Sequence, residues 1–374
     1  MSAKGAAARR QTANEPSDIS GGALDTAPVL REFPQSGIGN GALVISLDFE
    51  LHWGVRDHRP LDAAERRRLL AARAVVPEIL HAFREHAVRA TWATVGLLFA
   101  RTRDEAEACR PRIVPKYERR ELNPYSESLG RDEEDDPFHF APSLIRAIAQ
   151  QPGQEVGSHS YSHYYSLEAG QSEGEFKADV ASAKRIAENS GYRLRSYVFP
   201  RNQVCSGYLP ALAAAGFSSY RGTEQAASKA PVPFSEQRRL WSRALRLTDA
   251  YWDVNGPQTC EWPRGGGPIA PAPVAVAASR YLRPFTPALR ALEGVRLKRI
   301  AQAMKQAARE KRIFHLWWHP EDFAPHPGRN LEFLQRVLDT FEECRRECGM
   351  VSLSMGDVTG VGQETVKAMC GAAQ

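Results

Sequence analysis

From Gly41 to Met355, short strand-like runs alternate with longer helical runs. Such alternation forces a mostly parallel sheet, because each return to a parallel strand needs a crossover, usually a helix. "ALVISLDF" reads as the first strand. "LDAAERRRLLAARAVVPEILHAFREH" has helical periodicity, with Leu69, Ala72, Val76, Ile79, Leu80 and Phe83 on one side and Pro77 placed to kink or divide it. "RATWATVG" is the next strand, followed by a helix around Leu97 to Cys109 and a charged loop ending in "GRDEEDDPFHF". Then come the helix "APSLIRAIAQQ", the strand "QEVGS", and the helix "EFKADVASAKRIAENSG", which stops at Gly191. "SYVFP", "FSSYRG", "RIFHLWWHP" and "MVSLSM" are further strands, with helices "GYLPALAAAG" and "NLEFLQRVLDTFEECRRECG" among them. About seven strands in this order suit a barrel of TIM type.

Residues 1–36 read as a disordered tail, and 37–374 as a single domain. The stretch around 223–292 breaks the rhythm and is rich in Pro and Gly, which marks an insertion or long loop. A net charge of +5 without any nucleic-acid-binding motif excludes nucleic acid as the expected partner. Six cysteines in 374 residues do not make a disulfide framework, and Cys344 and Cys348 read as helix residues. No run of 18 apolar residues exists, so no transmembrane helix is expected. The first 18 residues lack the apolar core of a Sec signal, and no apolar run follows Arg9-Arg10. A cytoplasmic location is therefore the expectation.

Three clusters carry chemistry, each at the C-terminal end of an expected strand. That is the face where β/α barrels gather catalytic residues. The most specific is "GSHSYSH". His159 and His163, four apart, would share a divalent metal from one face of a helical turn. Ser160 stands where a zincin helix would have its Glu. In "VISLDFELHWG", Asp48 and Glu50 point to one face by strand period, and two carboxylates there suit one metal ligand and one general base. In "HLWWHP", His315, Trp317 and His319 share a face. His319, at the edge, is placed to protonate a leaving group, while His315, about 13 Å deeper, reads as a satisfied core histidine. "GQSEG" matches a serine-hydrolase elbow but lacks the strand before it. Ser172 with Glu175 is better read as a helix cap.

In this order, "VISLDFELHWG", "RATWATVG", "HSYSH", "YVFPRNQ" and "LWWHP" resemble the motifs of the polysaccharide deacetylase (NodB-homology, carbohydrate esterase family 4) superfamily. The resemblance implies a distorted (β/α)7 barrel. It also implies a divalent metal, usually Zn2+, held by His159, His163 and a carboxylate, with Asp48 as base and His319 as acid. Two departures stand out. Phe49 occupies the place of the usual second aspartate; Glu50 is the candidate to take over as metal ligand, as in relatives with Asp-x-Asp or Asp-x-Glu, and otherwise these motifs supply only two protein ligands. The arginine that usually precedes the proline of the third motif is replaced by Val198-Phe199. Arg201, just after Pro200, is the candidate substitute for orienting the base, and the residues leave that role open.

The resulting expectation is a metal-dependent hydrolase that removes an N-acetyl group from a sugar of a polysaccharide or glycan precursor. Trp53, Trp317 and Trp318 are candidates to stack on a sugar ring. A cytoplasmic enzyme of this kind would meet sugar nucleotides or lipid-linked precursors, as in lipopolysaccharide or exopolysaccharide assembly. Two alternatives stand beside it. One keeps the fold and acts on another amide, such as a formamide, cyclic ureide or imide. The other is a metal-free carbohydrate-binding pseudoenzyme.

Overall fold

In the computed structural model, which describes residues 39–223, 258–263 and 272–360, strand β1 (Ala42–Phe49) is buried at every position. The expected N-terminal tail and much of the 223–292 insertion lie outside the described residues. The further strands are β2 (Ala90–Thr94), β3 (Gln154–Ser158), β4 (Ser196–Tyr197), β5 (Ser219–Gly222), β6 (Val274–Ala277), β7 (Arg280–Tyr281), β8 (Ile313–Trp318) and β9 (Val351–Leu353). They pair in parallel in the order β6-β5-β4-β3-β2-β1-β8-β7. β9 takes the N-terminal half of β1, Ala42 to Val44, whereas β2 takes the C-terminal half from Ser46 to Phe49.

Only two residues separate β6 from β7, yet β6 pairs with β5 and β7 with β8. Ala278 donates its backbone N–H to Gly222, and the next residue, Ser279, donates to His315. One short segment thus joins the two ends of the strand order, and the sheet curls into the distorted (β/α)7 barrel. This segment falls inside the stretch read from sequence as insertion or loop. Its Pro and Gly neighbours hide two strands too short to leave a periodic signal.

The crossover helices are α1 (Ala63–Glu85), α2 (Arg103–Ala108), α3 (Pro142–Gln150), α4 (Glu173–Asn189), α5 (Leu209–Ala214), α6 (Glu293–Arg309) and α7 (Pro327–Cys348). α1 runs unbroken through Pro77, capped by Asp62, whose side chain accepts from the N–H groups of Ala64 and Glu65. The helix expected from Leu97 to Cys109 is instead a 3-10 turn, Gly96–Phe99, and then α2. Thr102 separates them by capping α2 through the N–H of Glu105. Ser172 caps α4 in the same way, as expected. No helix among the described residues is long and apolar enough to cross a membrane.

Alternation along the strands sorts the core. On β1, Leu43, Ile45, Leu47 and Phe49 pack outward with the helices, together with Leu69, Val76, Ile79 and Phe83 of α1. Ala42 and Val44 point the other way and join Val198, Val276, Leu353 and Met355 in a separate cluster. Along that inner face the side chains change from Ala42 and Val44 to Ser46, Asp48 and then Glu50. The barrel interior is apolar at its base and turns polar toward the C-terminal ends of the strands. Phe49 faces away from the mouth, edge-on to Trp92 at 6.4 Å.

Candidate metal centre and active site

His159 follows directly on β3, and His163 lies in the loop beyond it. The two do not sit on a helical turn. Ser160 and His163 have φ of 63° and 59°, which breaks any helix and swings both rings toward β1. The loop is fixed from two sides. Gly96 and Leu97 donate backbone N–H groups to the carbonyls of Ser160 and Tyr161. From α4, the buried Asp179 accepts from the N–H of Tyr161 at 2.7 Å and the hydroxyl of Ser162 at 2.5 Å. Burial pushes the pKa of Asp179 up to about 6. Gly96 is required here, since a Cβ would lie 2.7 Å from Tyr161 Cα.

Glu50 meets both imidazoles. Its Oε2 lies 3.2 Å from His159 Nε2 and 3.0 Å from His163 Nε2, and all three side chains are buried. The ring of His159 has its other nitrogen, Nδ1, 3.0 Å from the carbonyl of Val198. A carbonyl only accepts, so in the neutral ring Nδ1 carries the proton and Nε2 presents a lone pair. In that form the lone pair faces a carboxylate oxygen at 3.2 Å, an arrangement that a shared divalent cation would satisfy. Burial pushes His163 down to about 4, against the pull of Glu50, so this ring is neutral at pH 7. Burial opposes ionisation of Glu50, but His319 and His163 hold its pKa well below the ordinary value. Two imidazoles and one carboxylate, converging and buried, form a donor set that fits a zinc-like ion.

The Glu50 turn is built to hold that carboxylate. Glu321 accepts from the N–H of Leu51 at 2.5 Å and of Glu50 at 3.3 Å, and Leu51 sits at φ 46°. Burial, with the Glu50 carboxylate nearby, pushes Glu321 up to about 7.

Asp48 is gripped by Arg221, not by Arg201. From β5, Arg221 donates Nη1–H and Nη2–H to the two oxygens of Asp48 at 2.6 and 2.7 Å. Burial alone would raise the pKa of Asp48, but Arg221 overcomes this and brings it below its ordinary value. The guanidinium lies 4.3 Å from the Trp317 ring centroid. It also donates to Asn202 Oδ1, from Nη2 at 2.7 Å. A chain continues inward: Arg221 donates to Ser46 Oγ at 3.2 Å, and Ser46 lies 2.9 Å from His315 Nε2. His315 Nδ1 is 3.2 Å from the carbonyl of Ala277. His315 is therefore the satisfied interior histidine expected, held down to about 3 by burial and by Arg221.

Arg201 instead reaches Asp57 at 2.5 Å and lies 4.4 Å from the Tyr165 ring centroid, with φ 54° in the turn begun by the buried Pro200. The third motif still reaches Asp48, through Asn202 and Arg221 rather than through Arg201. Arg221 escaped the sequence reading because it lies outside every recognised motif. Its signal was an arginine at an inward position of "SSYRG", a charge in a barrel interior.

His319 stands between the carboxylates, its Nε2 3.7 Å from both Asp48 Oδ2 and Glu50 Oε1. These gaps are too long for hydrogen bonds. Nδ1 lies 2.9 Å from Asp322 Oδ2, which also accepts from the Tyr281 hydroxyl at 2.6 Å. Burial lowers the pKa of His319, but Asp322 and Glu50 outweigh it and raise it to about 10.

The tryptophans divide. Trp317 borders Arg221 and is partly exposed. Trp318 points outward into the core, stacked on Phe323 at 5.8 Å, and Trp53 is buried with its Nε1–H donated to the carbonyl of His139. Neither Trp318 nor Trp53 presents a ring face to the mouth, because strand alternation and the Leu51–Gly54 turn send them inward to protein.

Residues 62–220 match the polysaccharide deacetylase family model. No curated protein matches the chain. Among solved structures, a putative polysaccharide deacetylase from Mycobacterium smegmatis is similar, with 15% identity, 89% of this chain and 94% of that chain covered, and a TM-score of 0.55. A Puue allantoinase is similar at 13% identity, with 87% and 90% covered and a TM-score of 0.51. A probable polysaccharide deacetylase from Pseudomonas aeruginosa PAO1 is similar at 12% identity, with 86% and 89% covered and a TM-score of 0.50. Residues 62–220 thus carry the polysaccharide deacetylase pattern, and the barrel around them is similar in fold to these solved structures.

Proposed function

We propose that this protein is a metal-dependent amidohydrolase that removes an N-acyl group from a sugar unit of a glycan or glycan precursor. The observation that carries the reading is the convergence of Asp48, Glu50, His159, His163 and His319 at one end of the barrel. His159, His163 and Glu50 would hold the ion. A divalent cation bound there supplies a Lewis acid for the acyl carbonyl and makes water a better nucleophile at neutral pH.

The remaining steps belong to the chain. Asp48, kept ionised by Arg221, takes the proton from the attacking water. His319, kept protonated by Asp322, gives a proton to the departing amine. The two groups lie 3.7 Å apart without bonding, so each is available to the reacting atoms. Their opposed environments divide the acid and base roles between them. Trp317, beside the base, is the remaining candidate of the three tryptophans for a sugar face.

The test is acetate release from N-acetylated oligosaccharides and sugar nucleotides by zinc-loaded protein, beside ring opening of allantoin and cyclic imides. Acetate release that disappears in Asp48→Asn supports the reading. Ring opening without acetate release would move the protein to the cyclic-amide branch of the same chemistry. Zinc-loaded protein inert toward all of these would overturn the hydrolase assignment for these substrates.

A further inference from the structure

A second group of metal-capable side chains lies on the far side of the Glu50 turn. His52, Glu127 and His139 each offer one ligand atom, and these atoms lie within 4.8 Å of one another. His52 belongs to the Leu51–Gly54 turn, while Glu127 and His139 belong to the long segment between α2 and α3. The two imidazoles meet edge to face with ring centroids 5.1 Å apart.

Both rings are almost fully buried, at 2% exposure each. His52 Nδ1 and His139 Nε2 are buried without a hydrogen-bond partner among the described residues. A buried polar atom left unpaired costs about 1–3 kcal/mol, so two on adjoining rings need an explanation. The other nitrogen of His139 supplies one. Nδ1 lies 2.8 Å from Asp136 Oδ2, and that carboxylate also accepts from the N–H of Gly130 at 2.9 Å. An ionised carboxylate only accepts, so Nδ1 carries a proton, and in the neutral ring Nε2 presents a lone pair. A carboxylate behind a histidine is the arrangement that orients imidazoles toward metals.

We propose that His52, His139 and Glu127 bind a second divalent metal ion of the zinc class. Two imidazoles and a carboxylate suit zinc and similar transition metals rather than calcium or magnesium. Glu127 is partly exposed, which gives the ion a route from solvent. Glu127 and Asp136 together match its charge of two. The bound ion would fasten the α2–α3 segment to the turn that follows Glu50. The same two pieces already touch where His52 N–H donates to Phe138 and Trp53 Nε1–H to His139.

Metal content by mass spectrometry, after apo-protein is reloaded with zinc and desalted, tests this independently of catalysis. Wild type is expected to carry two zinc ions per chain. His139→Ala should carry one, and so should the His159→Ala/His163→Ala double variant. Melting of the apo-proteins checks that His139→Ala folds. Should it not, Glu127→Gln, at a partly exposed position, should retain the fold and still weaken the second ion at least tenfold. If Glu127→Gln and any folded His139→Ala bind as much zinc as wild type, or if all zinc vanishes in the double variant, the second site is overturned. If the double variant instead loses no zinc, the catalytic metal site fails.

Discussion

Gly54 and Glu50 interlock: a Cβ added to Gly54 would lie 1.8 Å from Glu50 Oε1 and 2.1 Å from its Cδ. The glycine of "ELHWG" leaves the space in which the Glu50 carboxylate rests. Gly54→Ala should therefore push Glu50 off His159 and His163. The expected result is zinc affinity at the first site reduced at least tenfold, with activity falling in parallel. Isothermal titration with zinc measures it, and an unchanged affinity would mean the carboxylate has another resting place.

Asp48, the proposed base, depends on an arginine from another strand. Arg221→Lys keeps the charge but loses the paired donation to Asp48. It should lower kcat about 100-fold while leaving zinc content intact. Arg221→Gln leaves a buried carboxylate without its partner, and should destabilise the fold by about 3–5 kcal/mol. Arg201→Lys, which alters a contact to Asp57, should leave Asp48 in place. Steady-state kinetics beside metal analysis separates these variants, and equal kcat losses for both lysine variants would contradict the assignment.

Asp322→Asn removes the anion behind His319. The ring should then lose much of the stabilisation of its protonated form, and kcat should fall about 10- to 100-fold with KM little changed. Tyr281→Phe removes only the hydroxyl from Asp322 and should have a smaller effect. A larger loss in Tyr281→Phe than in Asp322→Asn would reverse the order of this relay.

Asp179 predicts a pH signature in stability. Its carboxyl titrates near 6 in the folded protein, against an ordinary value of 3.8. The folded state thus binds this proton more tightly than the unfolded chain. The group favours folding below about pH 4, and that contribution is lost as pH rises through about 6. Asp179→Asn should flatten this component of the stability curve. It should also destabilise the protein by about 1–3 kcal/mol, since the amide presents N–H groups where two oxygens accept. Urea melts from pH 4 to 7 read both effects, and parallel curves for the two proteins would refute the first.

The strongly patterned parts of the sequence were legible. β1, α1, α4, β8 and α7 show their periodicity, and Asp48, Glu50, His159, His163 and His319 sit where strand ends placed them. What was hidden is of two kinds. β6 and β7 are four and two residues long, below any periodic signal, and α6 follows directly on an irregular stretch. Arg221 and Asp179 act from positions that carry no motif, Asn202 acts from a motif in which Arg201 looked the better candidate, and Asp322 lies just past the last one. Their roles follow from tertiary closure, which brings Arg221 to a residue 173 positions away. His159 and His163 do converge, but not for the reason their spacing suggested: a left-handed loop, not a helix, brings the rings together.

The divided edge of β1 has a consequence for how the protein breathes. β8 covers one side of this strand, while β9 and β2 share the other. Its amides should be among the last to exchange with deuterium, opening only when the whole molecule unfolds. Asp48 and the approach to Glu50 thus ride on the most persistent piece of backbone, whereas the histidine loop is anchored by a handful of side-chain and turn contacts. On gradual heating, that loop should let go of the ion before the strand lets go of its carboxylates, so the protein would lose activity while still folded.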